Sequence, residues 1–141
     1  MRFFELDRQT LVADTQLQAS DMADAAARGV TLIVNNRPDG EEPGQPSAAE
    51  LEIAARAAGL DYAHIPVELE FSDDKVEAVN DALGQAEGRV LLSCRSGTRS
   101  AYLWALARAR DGVEPNMLVQ SAARAGYNIR PIMPWLKPRD D

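Results

Sequence analysis

Cys94 is the only cysteine of the chain, and it stands where the apolar run Arg89-Val-Leu-Leu-Ser93 gives way to Arg95-Ser96-Gly97-Thr98-Arg99-Ser100. The pattern predicts a strand, a loop of small residues carrying two guanidinium groups, and a helix opening at Ser100, an order that aims a thiol into an anion cradle. A thiolate becomes a good nucleophile when its pKa falls, and a helix N-terminus flanked by arginine lowers it. The unpaired backbone N–H groups of such a junction also hold oxyanions. Cys94 and Arg99 are therefore the catalytic candidates, with Arg95, Ser96, Gly97, Thr98 and Ser100 as the anion-binding set. Ser96 and Thr98 add hydroxyl donors if they line a cradle and are turn formers otherwise, while Ser100 is expected to cap the helix and to reach the thiolate. The plain alternative is a buried, inert cysteine beside solvated arginines. Arginine at both the next position and the fifth after it, with serine and glycine between, favours chemistry.

The rest of the chain must position that loop. Two short strands are predicted near residues 3–6 and 11–13, then a helix capped by Ser20 and closed by Gly29. Val30-Thr-Leu-Ile-Val34 reads as a buried strand ending in the turn Asn35-Asn-Arg-Pro-Asp-Gly40, followed by a loop whose prolines and glycines exclude regular structure. Ser47 and Glu50 have capping-box spacing and open a second helix. A strand over 62–67, a helix capped by Ser72, the strand before Cys94, a helix from Ser100 to about Arg110 and another from Pro115 to about Arg124 complete the pattern. A short packed segment with a frayed end is expected from Pro131.

Strands alternating with helices imply an α/β fold, a largely parallel sheet flanked by helices, with ligands at the carboxyl ends of the strands. Those ends bring Asn36-Arg37, Glu68-Leu69-Glu70 and Cys94 to one edge, so Arg37, Asp39 and Glu68 are auxiliary candidates. Arg37 either meets substrate or pairs with Asp39 or another acidic neighbour. Glu41 and Glu42 read as a solvated loop face, His64 as a structural histidine, and Trp104 and Trp135 as packing residues.

A chain of 141 residues suits one domain over residues 1–141. Its net charge of -7 disfavours nucleic acid and anionic membrane as partners. The start of the chain is too charged for a signal peptide, no apolar run spans a bilayer, and the lone thiol fits a bacterial-type cytosol. One cysteine and one histidine make no metal cluster of recognisable spacing, and no cofactor is expected.

The surroundings of the loop Gly88-Arg-Val-Leu-Leu-Ser-Cys-Arg-Ser-Gly-Thr-Arg-Ser100 resemble the dual-specificity branch of the protein tyrosine phosphatases. The loop itself resembles that of single-domain rhodaneses. Together with Asn35-Asn-Arg-Pro-Asp-Gly-Glu-Glu-Pro-Gly-Gln-Pro46, it is similar to the beta-lactamase hydrolase-like protein phosphatase-like domain family, from about Leu6 to about Asn128. The resemblance implies a phosphatase-like scaffold. It also implies a sulfur-oxidising partner acting in trans, since family members occur joined to such domains.

Two departures from the phosphatase pattern bear on the reaction. Only four residues separate Cys94 from Arg99, where tyrosine phosphatases have five, and Ser93 stands where they usually have histidine. A shorter ring offers one N–H fewer to three equatorial phosphoryl oxygens, whereas a persulfide needs less room. No aspartate occupies the general-acid region after the strand at 62–67, and sulfite, as a leaving group, needs none. The expectation is therefore a rhodanese-like sulfurtransferase passing sulfane sulfur through a Cys94 persulfide, on a small sulfur-containing anion. The alternative is a phosphatase acting on a phosphorylated anion through a Cys94 phosphocysteine, and a third reading is an inactive anion-binding regulatory module.

Overall fold

The strand that carries the loop, β5 (Arg89–Ser93), is buried over its last four residues, as a strand covered on both faces must be. It pairs in parallel with β2 (Thr10–Ala13) on one side and β3 (Val30–Asn35) on the other. A fourth strand, β4 (Asp61–His64), extends the sheet in parallel beyond β3, and β1 (Phe3–Glu5) folds back antiparallel on β2. The order is β1-β2-β5-β3-β4, an α/β sheet that is parallel except at one edge. The structure, a computed structural model, describes residues 2–139.

Alternation along β5 divides the core. Val90 and Leu92 join Val79, Leu83, Leu103, Trp104 and Leu118, contributed by α3 (Asp73–Gln85), α4 (Thr98–Arg110) and α5 (Pro115–Arg124). Leu91 faces the opposite way, into a cluster with Met22 of α1 (Met22–Ala27) and with Leu51 and Ala55 of α2 (Ala48–Ala57). Helices therefore cover both faces, and β5 lies at the centre of the carboxyl edge.

The helix following Cys94 is fixed at its far end as well. Asp7, in the turn between β1 and β2, accepts hydrogen bonds from Trp104 Nε1 at 2.7 Å and Arg108 Nε at 2.9 Å. Burial pushes the Asp7 pKa up, but these donors outweigh it and hold the carboxyl below its ordinary value. Trp104, 1% exposed, packs as expected.

Ser47 and Ser72 cap α2 and α3, accepting hydrogen bonds from the N–H groups of Glu50 and Lys75. Other boundaries differ from expectation. Ser20 does not cap a helix; it lies inside a 3-10 turn, Ala19–Asp21, where Gln18 and Asp21 cap each other. Gly97, not Ser100, precedes α4, because its left-handed backbone (φ 98°) starts the helix at Thr98. The strand expected to reach Val67 ends at His64, since Pro66 offers no N–H, although Ile65 and Val67 still donate to the Asn35 and Asn36 carbonyls. Trp135, on the 3-10 helix Arg130–Trp135, is 66% exposed and is not a core residue. The tail packs through Ile132 and Leu136, while the expected frayed end falls on residues 140 and 141, outside the described residues. Among the described residues no helix is long and apolar enough to cross a membrane.

Candidate active site

Cys94 follows the last residue of β5 and is 1% exposed. The chain then turns through Arg95 and Ser96, and the Gly97 N–H donates to Cys94 Sγ at 3.1 Å. Only glycine serves at position 97. The backbone there has positive φ, and a Cβ would collide with the Tyr127 hydroxyl and come within 2.9 Å of the Ala13 carbonyl oxygen.

Arg99, in the first turn of α4, is aimed by two acceptors. Its Nη1 donates to Glu41 Oε2 at 2.8 Å and to the Val67 carbonyl at 2.9 Å, and its Nη2 donates to Glu41 Oε1 at 2.9 Å. Glu41 thereby occupies the end-on fork of the guanidinium. Of five N–H donors, the Nε hydrogen and one on Nη2 are left by Glu41 and Val67, and these two form the side-on fork that suits an oxyanion bidentately, with the Cys94 sulfur as the hydrogen-bonding neighbour of the guanidinium. The Glu41 hydrogen bonds, with the Cys94 sulfur nearby, raise the Arg99 pKa against a burial penalty.

Glu41 and Glu42 are not the solvated face the loop composition suggests. Arg37, 2% exposed, donates from Nε to Glu41 at 2.8 Å, from Nη2 to Glu42 at 2.7 Å and from Nη1 to Gln16 Oε1 at 2.7 Å. Burial opposes the charge on Arg37, but the two carboxylates more than compensate. Hydrogen bonds from Arg99, then from Arg37, hold Glu41 at about 2, well below the usual carboxylate range. Glu42 is also lowered, chiefly by Arg37 and then by Arg95, whose Nε lies 3.5 Å away on a side chain that is 69% exposed. Arg37, Glu41, Glu42, Arg95 and Arg99 line an open cleft of about 360 Å³.

Two asparagines join the strand ends beneath this cleft. Asn36 donates its backbone N–H to the Ser93 carbonyl and its Nδ2 to the Ile65 carbonyl, while its Oδ1 accepts from Ser100 Oγ at 2.8 Å. Asn35 Oδ1 accepts from the Arg37 N–H, and its Nδ2 donates to the Tyr62 hydroxyl. β3, β4, β5 and α4 are thus locked at one point.

The structure brings Cys94, Gly97, Arg99, Arg95 and Arg37 together. Ser96 and Thr98 are exposed, with their hydroxyl oxygens 3.5 Å apart. The remaining candidates serve elsewhere. Ser100 neither caps α4 nor donates to the sulfur; it is buried against Asn36. Asp39 does not pair with Arg37; its carboxylate accepts from the Ala48 N–H at the start of α2. Glu68 is exposed and forms no side-chain hydrogen bond among the described residues, although the neighbouring Val67 carbonyl holds Arg99. His64 is structural as expected, with Nε2 2.9 Å from the Arg37 carbonyl oxygen. Ser93 Oγ is buried with no hydrogen-bond partner among the described residues. No group of three or more metal-ligating side chains occurs among them either.

Comparison with known proteins agrees with this geometry. The family model described as beta-lactamase hydrolase-like protein, phosphatase-like domain, matches residues 3–111. A beta-lactamase hydrolase-like protein of Xylella fastidiosa is 36% identical over 131 residues, 92% of this chain and 30% of that protein. The chain therefore spans about 30% of the length of that curated relative. A solved structure from Neisseria meningitidis, named as a phosphatase candidate, superposes with a TM-score of 0.83 at 33% identity and 94% coverage of both chains. Another phosphatase candidate, from Shewanella putrefaciens, gives a TM-score of 0.73 at 24% identity over 95% of this chain and 83% of that one, a likeness of fold. These names are phosphatase and hydrolase names, and the sulfur-transfer expectation finds no support among them.

Proposed function

The chain belongs to the phosphatase-like domain family of the beta-lactamase hydrolase-like proteins, and from that premise we propose that it is a cysteine-dependent phosphatase hydrolysing phosphomonoesters through a phosphocysteine on Cys94. The observation that carries the reading is the side-on fork of Arg99, which neither Glu41 nor Val67 takes and which leaves the guanidinium fixed beside the Cys94 sulfur, its hydrogen-bonding neighbour. A fixed guanidinium whose paired donors are turned to the nucleophile rather than to a carboxylate matches two oxygens of a phosphoryl group carried there. The four-residue spacing between Cys94 and Arg99, which weighed toward sulfur transfer, is compatible with this because the fork supplies paired donors where a longer ring would supply amides.

In the proposed reaction the Cys94 thiolate attacks phosphorus, the P–O bond to the leaving group breaks, and that group departs with the bonding pair. Arg99 faces the phosphoryl oxygens, an electrostatic contribution that needs no rearrangement at the moment of reaction, while the Gly97 N–H on the sulfur supports the thiolate before attack and on its release. Water then attacks phosphorus, the P–S bond breaks, and the thiolate is restored as inorganic phosphate leaves. The cleft carboxylates Glu41 and Glu42 are held ionised by arginine, so neither can protonate a departing oxygen. Suitable substrates are accordingly those with weakly basic leaving groups, such as aryl phosphates. Incubation with an aryl phosphate and, separately, with thiosulfate plus cyanide tests the reading, with Cys94→Ser as control. Phosphate release that requires Cys94 supports it, whereas thiocyanate formation without phosphate release returns the site to sulfur transfer.

A further inference from the structure

A tyrosine outside the loop sits against the peptide that supplies the thiol with its amide. The end of α5 is a Schellman turn: Tyr127 N–H donates to the Ala122 carbonyl and Gly126 N–H to the Ala123 carbonyl, with Gly126 at a φ of 97°. That reversal carries Tyr127 across to the Cys94 loop, where its hydroxyl donates to the Ser96 carbonyl at 2.8 Å. The carbonyl of Ser96 and the N–H of Gly97 belong to one trans peptide plane and point in opposite directions. Fixing the carbonyl outward on Tyr127 therefore aims the N–H inward, and that N–H meets Cys94 Sγ at 3.1 Å.

We propose that Tyr127 is a positioning residue for the nucleophile: by anchoring the Ser96 carbonyl it sets the peptide plane that keeps the Gly97 N–H on the Cys94 sulfur. The inference rests on Cys94 being the nucleophile and extends that reading to how its thiolate is maintained. Ser96 and Thr98 are exposed, so an unanchored peptide could turn its carbonyl toward the sulfur and water could satisfy the N–H outside. The opposite orientation would set a carbonyl dipole against the thiolate. Burial, then the charge of Cys94, then Asp14, push the Tyr127 pKa up to about 12, so the phenol stays protonated and remains a donor across the working range. Other charged groups around the sulfur are Arg99 on α4, Arg95 in the loop, and Arg37, Glu41 and Glu42 beyond β3, with Asp14 facing Tyr127. Among the described residues, none of these groups hydrogen-bonds the Tyr127 hydroxyl, which is engaged with the Ser96 carbonyl.

The test is the pH profile of iodoacetamide alkylation, which reads a single thiol because the chain has one cysteine. Tyr127→Phe keeps the ring over Gly97 and removes only the anchor. Its alkylation should be roughly tenfold slower near about pH 6, with the midpoint about one pH unit higher and the alkaline plateau unchanged. The acid limb of kcat/KM for an aryl phosphate should move with it. A wild-type midpoint on the acid side of an ordinary thiol with a superimposable Tyr127→Phe profile overturns the role of Tyr127 alone. A wild-type profile like that of an ordinary thiol overturns the nucleophile reading and this inference together. Should the variant fail to fold, the unmutated protein supplies the same decision by NMR. The Tyr127 13Cζ and Gly97 15N resonances must shift together as Cys94 titrates, and a static Tyr127 resonance refutes the anchor.

Discussion

Replacing Glu41 by glutamine should weaken the protein at neutral pH and leave it nearly unchanged in strong acid. Glu41 takes the end-on fork of Arg99 at 2.8 and 2.9 Å and receives Arg37 Nε at 2.8 Å, and these arginines hold its carboxyl at about 2 against an ordinary 4.5. At face value that difference is worth roughly 3 kcal/mol at neutral pH. The carboxylate is reached by solvent, its side chain being 27% exposed, so screening reduces the expected contribution to about 1–2 kcal/mol. The sign follows from linkage: a carboxyl lowered on folding stabilises above its unfolded pKa, and the stability is lost as pH falls from about 4.5 through about 2. Urea unfolding of wild type and Glu41→Gln at several pH values measures it. The gap should be about 1–2 kcal/mol near neutrality and should close toward about pH 2. Turnover should also fall, roughly tenfold or more, because glutamine cannot fill both end-on positions with acceptors. A gap independent of pH, or one that widens in acid, refutes the reasoning.

Three further outcomes follow from the same geometry. Arg99→Lys keeps a charge but loses the fork, so kcat/KM for an aryl phosphate should drop roughly 10²–10³-fold in steady-state assays, beyond the roughly 1 kcal/mol that loss of the bidentate Glu41 pair should cost in urea unfolding. Gly97→Ala forces a side chain into the Tyr127 hydroxyl at positive φ, and it should cost at least about 1–2 kcal/mol in urea unfolding and suppress Cys94 alkylation at mildly acidic pH. Across a series of aryl phosphates, log kcat/KM should decline steeply with leaving-group basicity, since Glu41 and Glu42 are ionised; a flat dependence would reveal a general acid elsewhere.

What the sequence discloses and what it hides divide along the range of the interactions. Element ends written in neighbouring residues are legible: Ser47 and Ser72 cap as their spacing predicts, and the glycine before β3 and the proline opening α5 mark real boundaries. The misplaced start of α4 is also local, because the left-handed turn at Gly97 lets the helix begin two residues before the serine that looks like a cap. Contacts between distant segments are not legible. Glu41 meets Arg99 at a separation of 58 residues, Tyr127 meets Ser96 at 31, and Ser100 meets Asn36 at 64. The doubled asparagine at the end of β3 was the available signal, since two amides at a buried strand end need partners. Weighing sulfur transfer from the loop length, Ser93 and the missing aspartate left out Glu41, whose grip on the end-on fork of Arg99 keeps the side-on donors for an oxyanion.

The most direct test of the central claim is the intact mass of the protein quenched in acid during turnover of an aryl phosphate. The account predicts one phosphoryl group on Cys94, absent from Cys94→Ser and replaced by inorganic phosphate as the reaction completes. Phosphate release with no covalent species at any quench time, or release that survives Cys94→Ser, would contradict it.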